Sequence, residues 1–232
     1  VVIIAGHDRP AENPDPADIE AQMVEWWALA GAAWSDNPHV WLNPFNECPG
    51  YPDARWVAIN RKLCAAIRGA GNVSPIIVDA PFAGQDVGTF YGPGRRFSYE
   101  PNMLPSLQAE FGNLIISIHN YGGWGAYDTA AKMAGWVRSV RAAGGTPMIG
   151  ECGWTTNGQS TAGTWAANWA GAQASLSVAL SEEVPCLVWH GTQGDPAAPY
   201  SLTQSGKSFR WAYPDLGIDT SDFGHAGWAL TL

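Results

Sequence analysis

The chain has 232 residues, 14% of them charged, and 12 basic against 21 acidic side chains leave a formal charge of −9. That balance offers nothing to nucleic acid and is repelled by an anionic membrane, and no run of about 18 apolar residues is available to cross one. An apolar share of 46% excludes a disordered or fibrous chain and suffices for one domain with its own core.

In chain order, short apolar runs alternate with longer amphipathic stretches. Residues 1–6 read as a strand. After Pro14 and Pro16 comes a helical pattern over 17–34, with Ile19, Met23, Trp26, Trp27 and Ala30 at helical spacing. The second strand is 40–45. The second helix is 54–70, carrying Val57, Arg61, Cys64 and Ile67 and stopping at Gly69 and Gly71. Strands follow at 75–80 and 114–118, separated by an irregular Gly- and Pro-rich segment with one short helix near 106–111. The pattern over 129–143 is helical up to Gly144 and Gly145, and 147–150 is a strand. An Ala-rich helix over 164–180, with Trp165 and Trp169 four apart, precedes the last strand at 184–189.

Strand and helix alternating every 35 residues or so predict an α/β fold with a parallel sheet, its strands buried on both faces. No repeat, low-complexity tract or linker interrupts it, so residues 1–232 read as a single domain. Gly6 is followed by His7, Asp8, Arg9 and Pro10, which cradle no phosphate, and this argues against a doubly wound nucleotide-binding sheet. A TIM (β/α)8-type barrel is favoured instead, because polar residues stand at the C-terminal ends of the strands. In order these are His7-Asp8, Asn46-Glu47, Asp79, His119-Asn120-Tyr121, Glu151 and Trp189-His190. Glu47 and Glu151 directly end apolar runs. A carboxylate there is costly unless it faces a polar cavity, so the pair points to acid–base or nucleophilic chemistry.

The remaining reactive residues give less. The four cysteines (Cys48, Cys64, Cys152 and Cys186) contain no CxxC pair, which removes a zinc site of the usual spacing. They are too few for a disulfide-built scaffold; one or two bridges stay open, with three full connectivities. Cys48 and Cys152 each follow one of the two Glu, but alternation along a strand turns both away from the barrel mouth, and no bridge between them is expected. His7 with Asp8 lacks further ligands at metal spacing, so neither a metal nor a cofactor is expected. His39 lies in a helix-to-strand loop and reads as solvated.

Of 13 tryptophans, Trp26, Trp27, Trp56, Trp136, Trp165 and Trp169 fall in helices and read as packing residues. Trp124, Trp154, Trp189 and Trp211 fall in strand-end loops, where a flat ring can stack on a sugar face. His190, Asp195 and Tyr200 are weaker candidates for lining a subsite.

The ordered set Asn46-Glu47, His119-x-Tyr121, Gly150-Glu151 and Trp189 resembles the retaining glycoside hydrolases of the clan that contains glycoside hydrolase family 5. That family holds cellulases, mannanases and related β-glycanases. The likeness runs from Val1 to about Trp189 and matches the six visible strands to the family's third to eighth. It implies that Glu47 is the general acid/base and Glu151 the nucleophile. Asn46 would bind the sugar 2-hydroxyl, His119 and Tyr121 would orient and tune the nucleophile, and Trp189 would floor the cleaved-sugar subsite. His7 falls on the family's third-strand His, and Trp124 and Trp154 join the substrate-binding set.

The implied activity is a retaining endo-β-glycosidase acting on an oligo- or polysaccharide of the β-glucan or mannan class, without nucleic acid or membrane as partner. The implied location is extracellular. Two departures stand out. Cys48 occupies the place where the family has Pro, and the family's second-strand Arg has no counterpart before His7. The missing Arg favours an alternative, a non-catalytic carbohydrate-binding or particle-associated structural domain; the intact pair of Glu weighs against it. An apolar first strand without charge or Pro, beginning at Val1 with no initiator Met, leads to one more expectation. Two further strands, from an upstream segment or a complementing subunit, would close the barrel and carry the missing Arg.

Overall fold

β-Branched runs bounded by turn-forming residues become the strands. The computed structural model describes residues 1–7, 16–48, 53–81, 83–85, 103–121, 127–153 and 162–188. Its elements are β1 (Val2–Ala5), α1 (Pro16–Ala33), β2 (Val40–Asn43), α2 (Asp53–Gly69), β3 (Ile76–Asp79), α3 (Met103–Phe111), β4 (Leu114–Asn120), α4 (Ala130–Ala142), β5 (Thr146–Cys152), α5 (Ala162–Ser181) and β6 (Cys186–Val188). A helix separates every strand from the next, and the strand order of the sheet is the chain order, β1-β2-β3-β4-β5-β6. This is the expected α/β alternation. No helix among the described residues is long and apolar enough to cross a membrane.

Packing divides the chain into two units, Val1–His119 with Ala134–Met148, and Asn120–Met133 with Ile149 onward. In the first unit β1 to β4 pair in parallel. Val2 to Ala5 face Val40 to Asn43, Leu42 faces Ile76, and Ile76 to Asp79 face Leu114 to Ser117. Leu42, Ile76, Ile77, Val78, Leu114, Ile116 and Ile118 are buried, which is the continuous apolar pattern of a parallel sheet covered on both faces. β1 departs from it: Val2 is 47% exposed. The reading of residues 1–6 as a fully buried strand is therefore corrected, because β1 stands at one end of the strand order and has β2 as its paired neighbour.

Around these strands Trp27, Trp56 and Trp136 are fully buried. Trp26 is not core, being 49% exposed; it packs edge-on to Trp27 with ring centroids 4.6 Å apart. An ion pair joins α1 to α2 (Glu20 to Arg55, 2.8 Å), and another joins α2 to α3 (Arg61 to Glu110, 2.7 Å). Helix α4 ends where expected: Gly144 takes φ +81°, a conformation that L side chains resist, and Gly145 N–H caps the Val140 carbonyl.

In the second unit β5 and β6 pair in parallel, Ile149 opposite Cys186 and Cys152 opposite Val188. Asn120, at the end of β4, anchors this unit. Its buried amide donates towards the Tyr127 carbonyl, the Gly171 carbonyl and Ser175 Oγ, fixing the strand end to α5. Both β4 and β5 run two residues beyond their expected ends. The reason is hydrogen bonding that hydropathy does not register. His119 N–H donates to the Gly84 carbonyl at 2.8 Å, so a loop continues the ladder for β4.

Candidate active site

The first unit brings four polar residues together at the C-terminal ends of β2, β3 and β4. Beyond Asn43 the chain turns through Pro44, Phe45 and Asn46, with Asn46 N–H donating to the Gly6 carbonyl at 2.8 Å. Glu47 follows at φ +57°, a left-handed backbone that costs a non-glycine residue about 1 kcal/mol or more. Its side chain is 25% exposed.

Asp79 holds this turn. The carboxylate is completely buried at the end of β3. Its Oδ1 accepts from Asn43 Nδ2 at 2.8 Å, and its Oδ2 accepts from the Glu47 backbone N–H at 2.9 Å and faces His119 Nε2 at 3.3 Å. Burial alone would push this carboxyl upward. The His119 ring beside it, with the hydrogen bonds from His119 and Glu47 N–H, outweighs burial and holds it below the usual carboxylate range.

His119 is buried and links Asp79 to Glu47. Its Nδ1 lies 3.2 Å from Glu47 Oε1. With Asp79 ionised, Nε2 carries a proton and donates it. In the neutral ring Nδ1 is then a bare acceptor facing a carboxyl oxygen, and two acceptors do not approach to hydrogen-bonding distance unaided. A hydrogen bond across this contact therefore needs a proton on Nδ1 or on Oε1. The arrangement sets a buried imidazole against a partly exposed carboxyl group, a pairing through which a proton can be exchanged. Gly84 completes it. At φ +74° it packs against the imidazole so closely that a Cβ would stand 2.7 Å from His119 Cγ.

The second unit holds the other pair. Tyr121, buried just beyond β4, donates its hydroxyl hydrogen bond to Glu151 Oε2 at 2.7 Å. Three steps along β5, from Ile149 to Cys152, answer two along β6, from Cys186 to Val188. The extra residue makes a bulge in the stretch of Gly150 and Glu151, a device that re-aims a side chain at a strand end. Glu151 is half-buried there.

Of the residues singled out in the sequence, Glu47 and His119 thus meet in the first unit, and Tyr121 and Glu151 in the second. Asn46 is half-buried in the turn after β2, and His7 follows β1 with its side chain exposed, as is His39. Asp8, Trp124, Trp154, Trp189, His190, Asp195, Tyr200 and Trp211 lie outside the described residues. His119 and Tyr121 were both expected to serve Glu151. Tyr121 donates to Glu151, and His119 contacts Glu47 and Asp79. The sequence reading gave Asp79 no role and missed Asn43 and Gly84. The available signal for Asp79 was a carboxylate ending a fully apolar run, which demands a buried partner.

Comparison with known proteins adds the family. The family described as Cellulase (glycosyl hydrolase family 5) matches residues 1–195. Beta-mannanase/endoglucanase A of Caldicellulosiruptor saccharolyticus is 32% identical over 155 residues, covering 66% of this chain and 11% of that protein. Mannan endo-1,4-beta-mannosidase of Streptomyces lividans is 29% identical over 158 residues, covering 66% of this chain and 38% of that protein. The mannanase catalytic domain of Streptomyces sp. SirexAA-E superposes with a TM-score of 0.64 at 24% identity, over 93% of this chain and 64% of that one. The chain therefore spans well under half of these two curated relatives and just under two thirds of that structure. The likeness establishes the TIM (β/α)8-type fold expected from the sequence, here six parallel strands alternating with five helices among the described residues.

Proposed function

The chain belongs to the cellulase family, glycosyl hydrolase family 5, and from that premise we propose that it hydrolyses a β-linked glycan of the β-glucan or mannan class by double displacement with retention of configuration. The names of its relatives, a mannanase/endoglucanase and a mannan endo-mannosidase, support that substrate class and internal cleavage. Glu151 is the nucleophile, its carboxylate held by the Tyr121 hydroxyl for attack on the anomeric carbon. Glu47 is the acid/base.

The observation that carries this reading is the chain of contacts Asp79–His119–Glu47. In the first step the proton held between His119 and Glu47 passes to the departing glycosidic oxygen as Glu151 forms the glycosyl ester. In the second step the same carboxylate takes a proton from water, which displaces Glu151, and the gap between Glu47 and His119 is refilled. Asn46 contacts the sugar 2-hydroxyl, and His7, Trp124, Trp154 and Trp189 complete the substrate-binding set. The polysaccharide reaches such a site from outside the cell.

The test is NMR observation of the first anomer released from a soluble β-mannan or β-glucan oligosaccharide. The β-anomer is expected first; an initial α-product would overturn the mechanism. Glu151→Gln is expected to abolish turnover while leaving glycan binding intact.

A further inference from the structure

The bulge that carries Glu151 has a second consequence. It lets Cys152, which follows Glu151 on β5, approach Cys186 on β6 although the two are not paired in register. Their Sγ atoms stand 3.6 Å apart. A buried cysteine ordinarily serves as a small apolar filler, and Cys48 and Cys64 fit that description. Burial pushes both of those thiols up, Cys64 to about 12. The pair in the second unit differs. Its sulfurs face each other between β5 and β6, with Cys152 buried and Cys186 half-buried as residues.

We propose that Cys152 and Cys186 form a thiol pair that closes to a disulfide across the bulge carrying Glu151, and that closure slows turnover at that residue. The oxidant is a low-molecular-weight disulfide. The Cys186 thiolate attacks one of its sulfurs, breaking that S–S bond, releasing one small thiol and leaving a mixed disulfide. Cys152 then attacks the Cys186 sulfur and releases the second. Two protein thiols become one disulfide, the small disulfide becomes two thiols, and the two protons leave with them.

A disulfide holds its sulfurs about 2.05 Å apart. Closure from the present spacing draws them together by roughly 1.5 Å, and the strain falls on the residue next to Glu151. The Cys186 thiol is held well above its usual range, first by the hydrogen bond with Cys152 and then by burial, so closure is slow at neutral pH and quickens in alkaline buffer.

The effect on turnover rests on the role proposed for Glu151; the cross-link does not. The folded protein is incubated with oxidised glutathione in mildly alkaline buffer, quenched in acid, alkylated in denaturant and digested without reduction. The expected product joins Cys152 to Cys186 with loss of two hydrogens, leaving Cys48 and Cys64 alkylated. Its hydrolytic rate is expected to fall about tenfold or more and to return with dithiothreitol, whereas C186S shows no response. A cross-link involving Cys48 or Cys64, or glutathione retained on Cys186 beside a free Cys152, overturns the thiol pair. A Cys152–Cys186 link with an unchanged rate overturns the control of turnover. The same link in a protein inactive in both redox states overturns the hydrolase reading and leaves the thiol pair standing.

Discussion

Asp79 grips Glu47 by its backbone rather than by its carboxylate, accepting the Glu47 N–H at 2.9 Å. The same oxygen faces His119 Nε2, and the other ring nitrogen, Nδ1, meets the Glu47 side chain at 3.2 Å. One buried anion thus sets both the strained turn that presents Glu47 and the tautomer of the ring beside its carboxyl group. Separating the two effects requires a change that keeps the shape of Asp79 and alters its hydrogen bonding.

Asp79→Asn is that change. An amide carries no charge and offers one acceptor in place of two, so His119 is no longer obliged to keep its proton on Nε2. The kcat/KM for unactivated β-glycan is expected to fall about 100-fold. An aryl glycoside with a good leaving group, which needs little protonation, should lose far less. Equal losses on both substrates would show that Asp79 acts through the fold alone.

Much of the scaffold was legible in the sequence. Apolar runs and the glycines after α2 and α4 mark the elements because burial and helix termination are local demands. The partners of Asp79 were not legible. Asn43 and Glu47 lie 36 and 32 positions away along the chain, and only the parallel register of β2, β3 and β4 places them beside it. Glu151 was found as a strand-end carboxylate, but its bulge was not. A bulge is a mismatch between two strands, and neither strand shows it alone.

Gly84→Ala tests the packing of His119 from the opposite side. The substitution places a methyl group 2.7 Å from His119 Cγ on a backbone at φ +74°, where alanine is strained even with space to spare. Denaturant unfolding is expected to show a loss of about 2–4 kcal/mol, with a fall in kcat because the ring cannot stay against both carboxyl groups. A loss under about 0.5 kcal/mol would contradict the contact.

Acid stability follows from the depressed Asp79 carboxyl. The unfolded chain binds its proton more tightly than the folded one, so stability rises with pH wherever that difference operates. Asp79's contribution is fully present above the ordinary unfolded value of about 3.9. It is lost as pH falls below that value and through the lower folded one. Urea unfolding of the parent should hold steady from neutral pH to about 5 and decline below about 4, and Asp79→Asn should decline less steeply. Parallel declines would mean that Asp79 is not held ionised by its neighbours.

Arg68 bears on stability without bearing on chemistry. From the last turn of α2 its guanidinium donates to five carbonyls. Nε reaches Phe111, Nη1 reaches Asn72 and Ser74, and Nη2 reaches Gly112 and Asn113. These carbonyls belong to the segments that enter β3 and β4, whereas Asp79 and His119 stand where those strands end. At about 3.3 Å per residue, each strand puts roughly 10 Å or more between clamp and site. Removing the guanidinium leaves part-buried carbonyls without a donor, and Arg68→Ala is expected to cost about 2–4 kcal/mol. Arg68→Lys should recover little, because a single ammonium cannot span a fork of five acceptors. In the folded fraction kcat should match the parent. If Arg68→Ala lowers kcat under conditions where circular dichroism reports full folding, the two ends of β3 and β4 are coupled and scaffold and site are not separate.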